Sequence, residues 1–178
     1  MRRLSTTFDE NSVSFMSELL KRAVEYCNYK GTTLIEEPQL GAGTDGTVWQ
    51  SSVRTAIKSF ERIQNYRDEL ECYQRFQAAK INQLKQFAVP ELEGFSDELM
   101  VIEMSIVQPP FLLDFGKVYL DQPPAYFQDK ALMKNWLEEC RGLFGRNWPE
   151  VQSLLYQLRS FGIYYVDPKP ANIRFANK

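Results

Sequence analysis

Histidine is absent from this chain, and cysteine occurs only at Cys27, Cys72 and Cys140. Without an imidazole there is no histidine general base, no Ser-His-Asp triad and no His-ligated metal site. The cysteines are far apart, odd in number and form no C-x-x-C pair, so no disulfide framework is expected; reduced thiols in a cytoplasmic protein fit best. No apolar run approaches the length that spans a bilayer. The opening "MRRLSTTFDE" has two arginines but no apolar stretch behind them, so no secretory signal is read. Neither sign of charge is in large surplus. The 21 Lys and Arg against 23 Asp and Glu leave a formal −2, which argues against tight, nonspecific nucleic-acid binding. Repeats and low-complexity tracts are also missing. Carboxylates, amides, lysines and hydroxyls remain to carry any chemistry.

With 178 residues, 44% of them apolar, the chain can bury a core as one sizeable domain or as two small lobes around a cleft. Val13, Met16, Leu20, Ala23, Val24 and Cys27 recur at helical spacing from Asp9 to Lys30. Asp9 or Asn11 could cap that helix and Gly31 ends it. Short β-like runs follow: "TTLIEEPQL", "GTVWQ" and "VRTAIKSF". Tyr66, Leu70, Tyr73 and Phe76 mark a helix through "IQNYRDELECYQRFQAA", and two strands, "FAVPELEGF" and "ELMVIEMSIV", flank a turn at Ser96-Asp97. Two Pro-Pro pairs bracket "QPPFLLDFGKVYLDQPPAYF", which reads as a connector. "DKALMKNWLEECRGLF" is amphipathic, and Pro149 suits the first turn of a last helix that Gly162 ends. The tail is a loop and a short strand, "NIRF".

Three stretches carry chemistry. "LGAGTDGTVW" holds Gly41, Gly43 and Gly46, with Val48 after them. The β-like residues that continue past it indicate a strand–turn–strand flap rather than a Rossmann turn, which would open a helix. Small residues there let backbone N–H groups approach phosphate oxygens. "TAIK" ends an alternating strand on Lys58, behind Ala56, and a lysine so placed can hold phosphates as a point charge. Glu69 or Glu71 on the following helix could fix it by ion pairing; Glu69 shares a face with Tyr73 and Phe76, whereas Glu71 looks solvent-facing. Taken singly, each of these is more often an ordinary hairpin glycine, strand-end lysine or solvated glutamate. The most specific stretch is "VDPKPANI". Asp167 could take or orient the proton of a hydroxyl, Lys169 could neutralise a phosphoryl group, and Asn172 could ligate Mg²⁺.

These pieces, in this order, resemble the protein kinase superfamily over about residues 33–108 and 151–175. The resemblance implies an α+β, protein-kinase-like fold with a β-rich small lobe and a reduced helical large lobe. Its parts would be an N-terminal helical extension (1–32), a small lobe with hinge (33–108), and a large lobe (109–178) ending at the catalytic loop. It implies ATP in the cleft under Gly41, Gly43 and Gly46, with Lys58 on the phosphates. Ile102 becomes the gatekeeper, with Glu103 and Ser105 in a hinge that meets adenine through backbone groups. The implied function is transfer of the ATP γ-phosphoryl group to a hydroxyl by an atypical minimal kinase, with Ser or Thr on a protein as acceptor. The alternative is a pseudokinase that binds nucleotide or a partner without transfer.

The pattern departs from the family in two places. Tyr165-Val166 stands where His-Arg is usual, which argues against control by activation-loop phosphorylation. The metal-binding D-F-G expected beyond Asn172 is missing, and a D-F-G occurs instead at Asp114-Phe115-Gly116, ahead of the catalytic loop. By family order it is not the usual motif, and a coincidental loop tripeptide is the default. Asp114 could still contact ribose or supply a metal carboxylate. The expectation is therefore a borrowed metal ligand, metal-poor chemistry or no transfer, unless a longer chain carries the ligand beyond Lys178.

Overall fold

The computed structural model describes residues 10–176, the side chains of residues 10–17 excepted. Asp9 and the side chains of Val13 and Met16 lie outside the described residues, and Asn11 falls inside helix α1 (Glu10–Tyr29) rather than before it. The helix stops where Gly31 takes φ +70°: its N–H donates to the Asn28 carbonyl, and the Thr32 N–H donates to the Cys27 carbonyl at 2.8 Å. Glycine adopts this left-handed turn without a Cβ penalty, and the paired bonds satisfy carbonyls that the helix end would otherwise leave free.

A sheet follows, from β1 (Leu34–Ile35), β2 (Gly41–Gly43), β3 (Gly46–Ser51) and β4 (Thr55–Phe60). After α2 (Ile63–Ala78) and the hairpin β5 (Gln83–Leu84) and β6 (Phe87–Ala88), the strands β7 (Leu92–Ser96) and β8 (Val101–Ser105) complete it. The order is β1-β3-β4-β8-β7, with β2 paired to β3. Period-2 alternation gives the sheet two distinct faces. On one, Trp49, Ile57 and Val101 pack with Leu19, Ala23 and Tyr26 of α1. The stretch read as an N-terminal extension thus completes a core of its own. On the other, Ala56, Phe60, Ile102 and Met104 meet Tyr66, Leu70, Tyr73 and Phe76 of α2.

The second part begins with β9 (Phe111–Leu112) and β10 (Val118–Leu120). Helix α3 (Lys130–Phe144) is capped by Asp129, whose carboxylate accepts from the Ala131 and Leu132 N–H groups at 2.8 and 3.0 Å. Helix α4 (Trp148–Arg159) carries Pro149 in its first turn and buries Val151, Leu154, Leu155 and Leu158 in the core that α2 shares. β11 (Ile163–Tyr165) and β12 (Ile173–Arg174) close the chain's regular structure. The architecture is α+β, with a β-rich N-terminal part and helices later. Among the described residues no helix is long and apolar enough to cross a membrane.

The sequence reading left the Pro-bracketed stretch as a connector and most of the tail as a loop. Both contain strands, and those strands pair with each other. β9 runs antiparallel to β12, with Leu112 opposite Ile173, and β10 runs antiparallel to β11, with Val118 opposite Tyr165. Segments of two or three residues have no measurable periodicity, so only a distant partner makes them strands.

Candidate active site

Lys58 is the centre of the site. It projects from β4 onto the α2 face and is 6% exposed. Of the two helix glutamates, Glu69 is the one that reaches it, with Oε2 at 2.7 Å from Nζ. Glu71 instead accepts from the Arg75 guanidinium, one helical turn on. The Tyr73 hydroxyl donates to the other Glu69 oxygen at 3.3 Å, so helical i, i+4 spacing holds the carboxylate from behind.

A second carboxylate meets the same ammonium. Asp114 Oδ1 lies 3.0 Å from Lys58 Nζ, and its Oδ2 accepts from the Asn172 side-chain amide at 3.2 Å. Chain order had set this D-F-G apart from the D-x-K-x-x-N loop; the fold brings the two together. The Leu113 N–H donates to the Asn172 carbonyl at 2.8 Å, and the Leu113 carbonyl accepts from the Tyr165 hydroxyl at 3.1 Å. Antiparallel pairing of β9 with β12 thus puts the residue before Asp114 beside Asn172 whichever segment comes first in the chain. Phe115 is fully buried, with its ring edge-on to Tyr73, Phe76 and Tyr165 at centroid distances of 5.5, 5.4 and 5.9 Å. Tyr165, where the family pattern has histidine, is therefore a core partner of Phe115. The sequence reading missed Phe115, Tyr73 and Tyr165 as site supports; their only signal was an aromatic at helical spacing and a D-F-G in an unfamiliar place.

Asp167 occupies the outer end of the site. Its Oδ2 lies 2.8 Å from Lys169 Nζ and 3.2 Å from Lys117 Nζ. The Trp136 indole N–H donates to the Val166 carbonyl at 2.9 Å, which steadies the loop just before it.

The flap is a hairpin in which Gly41 pairs with Val48 and Gly43 with Gly46. A Cβ at Gly46, which has φ +149°, would collide with the Ser59 carbonyl of β4; one at Gly41 or Gly43 would meet nothing within 4 Å. Gly46 therefore serves close strand packing, and the other two border open space. Asp45, at the tip, accepts from the Asn65 amide on α2. Val48 and Ala56 lie on the Lys58 face.

The expected hinge, with Glu103 and Ser105, is corrected. β8 continues through Ser105, so these residues are strand rather than hinge. Ile102 lies opposite Lys58 and is fully buried, and Met104, on the same face, lies opposite Ala56. Glu103 points to the α1 face, where it accepts from the Tyr26 and Thr55 hydroxyls at 3.0 and 2.7 Å. The Ser105 N–H is already committed to the Glu91 carbonyl.

The electrostatics follow from one lysine shared by two carboxylates. Burial opposes the charge on Lys58, but Glu69 and Asp114 together hold its pKa above the ordinary value. Burial also opposes ionisation of Asp114; Lys58 and a Gly116 backbone N–H outweigh it and keep that carboxyl low. Glu69 is buried most deeply, and desolvation, only partly offset by Lys58, pushes it up to about 7. A carboxyl raised in this way binds its proton more tightly in the folded chain, so folding stability falls as pH rises from the usual carboxylate range towards 7. Glu69→Gln lacks that loss. Its melting temperature relative to wild type should rise by a few degrees between about pH 5 and about pH 8; a constant difference would mean that Glu69 is ionised throughout.

Among the described residues no group of three or more His, Cys, Asp or Glu is placed to hold a metal ion. The candidate pair is Asp114, with a side chain 33% exposed, and Asn172. Half a turn of the Asn172 amide presents its oxygen beside the Asp114 carboxylate. Two hard oxygen donors with room for water suit Mg²⁺, which needs only one or two protein ligands when substrate phosphates complete its shell. A separate cavity of about 310 Å³ lies between α2 and β7, lined by Tyr73, Phe76, Gln77, Lys80, Pro90 and Leu92 among others; none of Lys58, Asp114, Asp167 or Asn172 lines it.

No protein-family model matches the chain. No curated protein matches it. Among solved structures, APH(2")-IIa in a ternary complex with streptomycin and ATP is similar to it at 13% identity and a TM-score of 0.37, over 96% of this chain and 43% of that one. The chain spans less than half the length of that structural neighbour.

Proposed function

We propose that the chain is an ATP-dependent phosphotransferase that moves the γ-phosphoryl group to a hydroxyl, in the manner of an atypical minimal kinase with Ser or Thr as acceptor. One observation carries the reading: Asp114 stands between Lys58 and Asn172, at 3.0 and 3.2 Å, so a carboxylate from before the loop takes the place of the one expected after Asn172. Lys58, fixed by Glu69, takes the α- and β-phosphates under the open flap of Gly41 and Gly43. Val48 and Ala56, with Met104 behind them, form the apolar wall against which adenine rests. A divalent cation held by Asp114 and Asn172 would neutralise charge on the β- and γ-phosphates.

Asp167 orients the acceptor hydroxyl and takes its proton. The acceptor oxygen bonds to the γ-phosphorus as the bond from that phosphorus to the β–γ bridging oxygen breaks, and ADP leaves. Lys169, already on Asp167, meets the charge of the moving group.

Calorimetric titration of ATP with and without Mg²⁺, on wild type and Lys58→Ala, tests the reading. Micromolar to sub-millimolar affinity that needs both the cation and Lys58 is the expected result. Affinity indifferent to Mg²⁺ would instead favour a nucleotide-binding module without transfer, and no binding by folded protein would overturn the nucleotide reading altogether.

A further inference from the structure

The charges of the site are unevenly divided. Around Lys58 stand two carboxylates, Glu69 and Asp114, a local surplus of negative charge that suits a cation. Around Asp167 stand two lysines, Lys169 and Lys117, both on the same oxygen, Oδ2. That end carries a surplus positive charge and suits an anion.

Lys169 belongs to the D-x-K-x-x-N pattern, but nothing in the sequence reading drew attention to Lys117. Its placement follows from the interlaced ladders. Lys117 directly follows the D-F-G, and Val118 is already paired with Tyr165 across β10 and β11. Lys117 and Val166 lie one step beyond that pair, just outside the two strands, so the end of the ladder brings the lysine to the Asp167 loop. At its other side Asp114 is only three residues away, with a Gly116 backbone N–H on its carboxylate. The lysine side chain is 44% exposed, so its ammonium is free to exchange one anion for another.

We infer that Lys117 is a second cation for the terminal phosphoryl group, working opposite Lys169 on the nucleotide bound as proposed above. An acceptor hydroxyl held by Asp167 must lie about 3 Å from the γ-phosphorus. A cation bound to the Asp167 carboxylate is therefore within reach of the γ-phosphoryl oxygens without moving its backbone. Charge-assisted contacts of this kind strengthen as the phosphoryl group transfers and water is excluded. The inference rests on the nucleotide reading, and the two can fail separately.

The test compares ATP with ADP, each with Mg²⁺, by calorimetry on the 178-residue chain as wild type, Lys117→Ala and Lys117→Arg. Lys117→Ala should weaken ATP about tenfold, as one charge-assisted contact predicts, and leave ADP within about twofold, with Lys117→Arg recovering most of the loss. Equal affinities of wild type and Lys117→Ala for ATP would overturn the inference and leave Lys117 as a mere orienting partner of Asp167. Equal weakening of ATP and ADP would overturn it too, since a contact confined to the γ-phosphate cannot act on ADP. Failure of wild type to bind either nucleotide would remove the nucleotide reading itself, and the inference with it.

Discussion

Replacing Asp114 with asparagine should lower Mg²⁺-dependent ATP turnover by roughly a thousandfold while leaving the fold intact. The substitution keeps the size and hydrogen-bonding reach of the side chain, so the contacts with Lys58 and Asn172 can persist in altered form. What it removes is the negative charge. Two neutral amides would then face the cation, and a hard divalent ion without an anionic protein ligand is held weakly. Lys58 would be left to Glu69 alone, which lowers the Glu69 pKa by removing the neighbouring charge that helps to raise it. ADP release measured in steady state, beside a thermal melt of each protein, checks the result. An Asp114→Asn variant that melts like wild type and turns over ATP at the wild-type rate would show that the early D-F-G takes no part in transfer.

The largest stability effect is expected at the next residue. Phe115→Ala should cost about 3–5 kcal/mol, the range for deleting a fully buried aromatic ring. Phe115 is wholly buried and edge-packed against rings from α2 and β11, so a cavity there touches both parts of the molecule at once. Edge-to-face pairs add to the area term, and neither α2 nor β11 can collapse into the void without breaking its own pairing. Urea unfolding followed by far-ultraviolet dichroism measures the cost. The substitution should also weaken Mg²⁺-dependent ATP affinity, because Phe115 is the anchor that fixes the backbone on the C-terminal side of Asp114. A loss below about 1 kcal/mol would place Phe115 outside the set of large core truncations and overturn its role as an anchor for Asp114.

Much of the fold was legible because it is local. The helices α1, α2, α3 and α4 follow from 3.6-residue apolar spacing and identifiable stops, and they lie where that spacing put them, to within a residue or two at most ends. The flap was legible because glycines followed by β-like residues, with no helix start, leave few other shapes. Lys58 and Glu69 were legible as candidates, and strand alternation with helical i, i+4 spacing sends both into the same interior. Glu103 was not legible. It was read as a hinge residue meeting adenine through its backbone, and only the packing of α1, with the Tyr26 hydroxyl, gives its side chain a buried partner there.

The sequence by itself determined the chemical inventory: lysines, carboxylates and an asparagine with no histidine among them, on elements whose periodicity assigns each to a strand, a helix or a loop. Only the tertiary structure decided that Asp114 belongs with Asn172, and Lys117 with Asp167. The reason is that motif order is a property of the chain, whereas antiparallel pairing is a property of space. β9 lies against β12 and β10 against β11, and a ladder of hydrogen bonds holds equally well whichever of its strands was made first.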